Sequence, residues 1–269
     1  MKPILRLLAI FPHPDDESLG LGGTLAKYSA EGVETTLICA TRGERGWTGP
    51  PEKNPGLEGL GKIREAELKC AVAHLGLKET IFLDYIDGDV DKANPEEIIS
   101  KITHQIRRIQ PHVVITFPLD GNYGHPDHIA ISQFTSAALV YSADPGFVDP
   151  FDLSPYRVPK YYHMVDSKKM VDALQKMIGG LNMEVDGVIR NHFGWEEWAI
   201  TTRINTGEYF NTLWNAILCH QSQLAGFEGF LELPAEKHKI LFSEGTFIRI
   251  YSFVNGGRKI ETDLFEGLR

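Results

Sequence analysis

His13-Pro14-Asp15-Asp16-Glu17 sets one imidazole and three carboxylates within five residues. Like charges this close oppose one another unless solvent or a cation balances them. Hard carboxylate oxygens beside a neutral imidazole suit a divalent metal ion; an acidic turn whose Asp or Ser caps a helix is the alternative. A second cluster, Tyr123-Gly124-His125-Pro126-Asp127-His128, lies more than a hundred positions later. Two histidines and one aspartate drawn from both clusters make a three-ligand site with positions left open for water and substrate. His13, Asp16 and His128 are the expected ligands. A zinc ion held this way lowers the pKa of bound water towards about 7. Asp15 is then free to act as general base, and His125 to meet the oxyanion or protonate a departing amine. Asp127 stands where it can orient a ligand histidine through the second ring nitrogen. The same two-His, one-carboxylate set also serves non-haem iron oxygenases. The spare Asp15 and the surrounding strand–helix pattern favour hydrolysis.

Both clusters directly succeed apolar runs, Leu5 to Phe11 and His112 to Phe117, which read as buried parallel strands. Further strands are expected at 33–40, 80–83, 160–165, 200–204 and 247–253. Helices are expected at 19–30, 63–75, 95–109, from 129, at 166–177 and at 209–223. Strands alternating with helices predict an α/β fold with a mostly parallel sheet and right-handed crossovers. If strand one is central and the order reverses beside it, the loops after strands one and four become neighbours. His13 and Asp16 would then face His125 and His128. Residues 1–143 form the expected core carrying the metal motifs. Residues 144–269 complete the sheet and pocket, with 1–269 as one domain. The Gly/Pro-rich loop from Trp47 to Leu60 and the segment from Phe147 to Asn191 match nothing that assigns them a role.

The net charge of −9 argues against nucleic acid and against anionic membrane surfaces. No apolar run reaches the roughly 18 residues of a membrane span, and no cleavable signal comes after Lys2, so a cytoplasmic location is expected. The three cysteines, Cys39, Cys70 and Cys219, lack C-x-x-C spacing and are read as buried thiols in a reducing compartment. Arg64 is open to an ion pair with Glu67 one helical turn on. The histidines at 74, 104, 112, 163, 192 and 238 are read as structural.

Taken together, His-Pro-Asp-Asp-Glu after strand one and Gly-His-Pro-Asp-His after strand four resemble the LmbE/PIG-L family of zinc-dependent N-acetylglucosaminyl de-N-acetylases. Thr41-Arg42-Gly43-Glu44, Arg64-Glu65-Ala66-Glu67 and His220-Gln221-Ser222-Gln223 are similar to further family motifs. The resemblance implies a Rossmann-like three-layer α/β/α fold with C-terminal additions. It implies Zn2+, with Fe2+ or another divalent metal possible, and a small amino-sugar substrate. It also implies His13, Asp16 and His128 on the metal, Asp15 as base, His125 and Tyr123 near the oxyanion, and Glu44 and Arg64 on the sugar, with His220 on the substrate side. A homo-oligomer is expected. Pro12 departs from the family's commoner alanine.

Overall fold

The computed structural model describes residues 4–179, 181–185 and 187–269; Lys2 therefore lies outside them. Its main sheet has seven strands: β1 (Arg6–Phe11), β2 (Glu34–Cys39), β3 (Glu79–Phe82), β4 (Val113–Thr116), β5 (Lys160–Met164), and two later strands, Thr202–Asn205 and Glu244–Ser252. Leu7 to Phe11 are wholly buried, as are Val113 to Ile115, because helices cover both faces of these strands. That explains why they read as continuous apolar runs rather than alternating ones. β1 pairs in parallel with β2 on one side and β4 on the other, so the order reverses beside β1. Chain continuity then sends the β1 and β4 loops to the same edge of the sheet. Beyond β5 the sheet turns antiparallel, with Glu244–Ser252 and then Thr202–Asn205 at its end.

In chain order the α-helices run α1 (Asp16–Leu19), α2 (Gly22–Ala30), α3 (Gly56–Leu75), α4 (Pro95–Ile109), α5 (Gly121–Gly124), α6 (Pro126–Ala143), α7 (Lys168–Ile178) and α8 (Phe210–Cys219), with short turns beyond. α4 keeps its expected limits because both ends are chemically marked. Asn94 accepts hydrogen bonds from the Glu96 and Glu97 amides, Pro95 occupies the first turn, and Gln110 adopts a left-handed φ of 51°. α3 starts seven residues earlier than its apolar spacing suggested, absorbing Gly59 and Gly61. Gly61 stays helical because the helix packs there on Glu44, whose Cγ would lie 3.0 Å from an added Cβ. α3 ends at Gly76, whose φ of 75° requires a residue without a Cβ penalty.

Two features depart from the sequence reading. A separate antiparallel hairpin pairs β6 (Asn182–Val185) with β7 (Val188–Asn191), where no strand was expected. Its strands are four residues each and mostly exposed, so they carry little apolar alternation. The cysteine reading also needs correction. Cys39 is a buried thiol, but Cys70 is exposed on α3 and bonded to Cys219 at the end of α8, their Cα atoms 5.8 Å apart. The two positions are 149 residues apart in sequence, and only the packing of α3 on α8 brings them together.

Candidate active site

The turn after β1 is closed by its own chemistry. The His13 amide donates to Asp16 Oδ2 at 2.9 Å, and the Asp15 amide donates to Glu17 Oε2 at 3.0 Å. Asp15 itself takes a φ of 108°, rare for an L residue, and makes no side-chain cap to α1. The capping alternative for Asp15 is thereby removed, and its carboxylate meets Arg64 instead. On the other side of β1, the turn after β4 is kinked at Asn122, with φ 65°. His125 then caps α6, its Nδ1 accepting from the Asp127 amide at 3.1 Å.

The two turns meet. His13 Nδ1 and His128 Nε2 are 3.3 Å apart, and Asp16 Oδ1 lies 3.6 Å from His128 Nε2 while Oδ2 lies 3.7 Å from His13 Nδ1. Donors about 2.1 Å from a tetrahedral metal would be about 3.4 Å apart, so this triangle fits a divalent ion. Burial, aided by Asp15 and Glu17 and opposed by His13, pushes Asp16 up to about 8. Burial, with His13 and His125 nearby, holds His128 well below its ordinary value and so neutral, as a ligand must be. Burial opposes protonation of His13, yet Asp87, Asp127 and Asp16 outweigh it and raise its pKa well above the usual range. The acids around His13 are arranged for a positive charge.

His13 Nε2 is held on its far side by Asp127 Oδ2 at 3.1 Å and Asp87 Oδ1 at 3.0 Å. Asp127 is wholly buried, and also accepts from the Gly88 and Val90 amides at 2.7 and 3.1 Å. Asp87, which sequence reasoning did not single out, stands beside Asp127 on His13. The signal was an Asp-Gly pair shortly past β3, at the same sheet edge as both motifs. The His125 ring packs 4.9 Å from both His13 and His128, and Tyr123 lies 5.1 Å from His128 by ring centroids. Burial and the surrounding aspartates, Asp16 first, raise the Tyr123 hydroxyl well above 10, keeping it a donor.

The substrate-side residues divide. Arg64 is 3 % exposed and donates to the carbonyls of Gly43 and Pro14 and to Asp15 Oδ2 at 3.2 Å. The Arg64–Glu67 pair that the spacing left open is not made. Glu67 instead accepts the Ser222 amide and hydroxyl at 2.7 Å each. Half-buried Glu44 accepts from the Asp87 amide at 3.2 Å. His220 is buried at the end of α8, with Nε2 on Glu17 Oε1 at 2.9 Å and Nδ1 unpartnered among the described residues. His192, read as structural, pairs with Asp166 at 2.9 Å and stacks toward Tyr123 at 6.3 Å, which brings the β6–β7 hairpin over the site.

The GlcNAc-PI de-N-acetylase (PIG-L) family profile matches residues 8–139. A 1D-myo-inositol 2-acetamido-2-deoxy-alpha-D-glucopyranoside deacetylase of Streptomyces avermitilis is 30 % identical over 99 % of this chain and 98 % of its own. The chain belongs to the PIG-L (LmbE) family. The Kineococcus radiotolerans protein of that same description is 35 % identical across 64 % of this chain and 55 % of its own. Among solved structures, the N,N'-diacetylchitobiose deacetylase of Pyrococcus horikoshii superposes with a TM-score of 0.67 at 23 % identity, over 91 % of this chain and 83 % of its own. The Pseudomonas putida KT2440 4-carboxy-2-hydroxymuconate hydratase GalB superposes at 0.69 with 17 % identity, over 94 % and 99 %. These last two likenesses carry the fold; a hydratase among them shows why reaction type is argued from the site. Both motifs fall within the family span, whereas His220 and the β6–β7 hairpin lie beyond it.

Proposed function

We propose that this protein is a metal-dependent hydrolase removing the acetyl group from an N-acetylglucosamine-type substrate, with residues 1–269 acting as one unit. The observation that carries the reading is the donor triangle of His13, Asp16 and His128 with the uncapped Asp15 carboxylate beside it. Two imidazoles and a carboxylate suit Zn2+, and Fe2+ fits the same donors. A divalent ion bound there supplies Lewis-acid polarisation of the amide carbonyl and a more acidic water.

The chain's own residues do the rest. Asp15 accepts the proton of the attacking water, its carboxylate steadied by Arg64, and a proton passes to the sugar nitrogen as the C–N bond breaks, releasing acetate and the free amine. His125 and the neutral Tyr123 hydroxyl donate towards the oxygen that gains negative charge. Asp127 and Asp87 position His13 and fix which ring nitrogen faces the metal. Arg64, which gives Nη1 to the Gly43 carbonyl and Nη2 to the Pro14 carbonyl and Asp15 Oδ2, acts as a positioning residue for the Asp15 turn rather than as a sugar contact. Glu44 and the free nitrogen of His220 remain as contacts for sugar hydroxyls. The family relatives, described as deacetylases of an N-acetylglucosaminyl inositol, support this class.

The test is acetate release from free N-acetylglucosamine, N-acetylglucosaminyl inositol, N-acetylglucosaminyl malate and chitobiose by metal-reconstituted protein. Release that chelation abolishes and added metal restores is the expected result. No release from any of the four, with one equivalent of metal bound, would overturn the sugar assignment.

A further inference from the structure

The β6–β7 hairpin belongs to no other sheet, yet it reaches the catalytic loop. Arg190, near the end of β7, lays its guanidinium on Gly124, the residue directly before His125. Nη1 stands 3.2 Å and Cδ 3.9 Å from where a Cβ on Gly124 would be. Gly124, with φ +81°, leaves room for that approach.

What separates Arg190 from its neighbours is its lack of an anion. Around the site, Arg42 pairs with Glu65 and Asp84, Arg45 with Asp89, and Arg64 with Asp15. His192, two residues on, is taken by Asp166. The Arg190 side chain makes no hydrogen bond or ion pair among the described residues, and its Nε is shielded from solvent without a partner. A guanidinium half-withdrawn from water with open donors is a built receptor for a planar or tetrahedral anion, which it can grip through two parallel bonds.

We infer that Arg190 is a specificity residue that selects substrates carrying an anionic group, a carboxylate or a phosphate, on the aglycone side of the amino sugar. The inference rests on the deacetylase reading and goes beyond it, because the inositol of the curated relatives' substrate carries no charge. The hairpin's position explains the geometry. The acetamide must reach Asp15 and the His13–Asp16–His128 triangle, and Arg190 lies against Gly124, between Tyr123 and His125 in the chain, within reach of the far end of a glycoside.

Three probes differ only beyond the sugar: methyl N-acetylglucosaminide, N-acetylglucosaminyl malate and N-acetylglucosamine 1-phosphate. Binding by calorimetry and kcat/KM by acetate release are measured for the natural chain, Arg190→Gln and Arg190→Lys. The natural chain should favour at least one anionic probe over the neutral one by about 10- to 100-fold, the worth of a charged hydrogen-bonded pair, chiefly through KM. Arg190→Gln should collapse that ratio towards one, and Arg190→Lys should restore part of it. Preference for malate identifies a carboxylate reader and preference for the 1-phosphate a phosphate reader. Equal binding of neutral and anionic probes by the natural chain overturns the inference, as does an Arg190→Gln that weakens all probes alike. Because binding is read separately, a chain that releases no acetate but still discriminates by charge would sink the deacetylase reading and leave Arg190's role standing.

Discussion

Asp15 is held in a backbone conformation that costs energy, beside the His13–Asp16–His128 triangle, and its carboxylate meets Arg64 instead of capping α1. Strain of that kind persists where the surroundings enforce it, and here they do so through Glu17 and Arg64. Asp15→Asn keeps the shape and loses the proton acceptor. It should leave one metal per chain by elemental analysis and lower kcat by about 100- to 10,000-fold, the usual worth of general base catalysis. A variant within a few-fold of the natural rate would remove Asp15 from the role. Asp127→Asn should act differently, since its side chain bonds His13 and the Gly88 and Val90 amides. Metal affinity should fall by about 10- to 100-fold, read by competition with a chromogenic chelator, and excess metal should recover much of the rate. His128→Ala should lose the metal outright. At this scale sequence reading was strong for the two motifs, because each carries its ligands within five or six residues of contiguous chain. It was weak for Asp87 and Glu17, whose meaning depends on partners 74 and 203 positions away.

At the scale of elements, α3 and the end of α8 are fastened at two points, Cys70 to Cys219 and Glu67 to Ser222, and Gln223 ties the same segment to the loop after β2 by donating to the Gly46 carbonyl at 2.9 Å. The fastening sets where His220 stands against Glu17. Intact protein should show one thiol by alkylation under denaturing conditions and three after reduction. Cys219→Ser should lower the melting temperature, with about 2 to 4 kcal/mol lost for a cross-link closing so long a loop. Three reactive thiols before reduction would refute the bond. The motif His220-Gln221-Ser222-Gln223 was visible in the sequence. The partner of each of its side chains was not, because helical periodicity marks which face is buried but not which helix it meets.

Across the whole molecule, the C-terminal segment is tied to the sheet through Glu261, which is 1 % exposed. It bonds Lys160 Nζ, the Tyr162 hydroxyl and Thr202 Oγ1 at 2.7 to 2.8 Å, with Arg249 at 3.0 Å. Burial alone would raise its pKa, but Lys160, Asn255, Thr202 and Tyr162 reverse the shift and bring it from an ordinary 4.5 to about 2. A depressed folded-state value means the contribution is complete above about 4.5 and fades as pH falls towards about 2. Glu261→Gln should therefore cost on the order of 3 kcal/mol at neutral pH. The gap from the natural chain should narrow below pH 4.5 in urea melts. A gap independent of pH across that window would show that the carboxylate's charge is not what holds the segment.

The family, the parallel α/β core and the two clusters were determined by local sequence, since buried strands, helix caps and short motifs write their chemistry into neighbouring residues. The reversal of strand order beside β1 was only a supposition until β1 was found between β2 and β4, and that reversal sets His13 against His128. The Cys70–Cys219 bond, the diversion of Glu67 to Ser222 and the placing of Arg190 on Gly124 were decided by tertiary structure alone. Each joins surfaces far apart in the chain, and no local pattern encodes which distant surface a half-exposed side chain will meet.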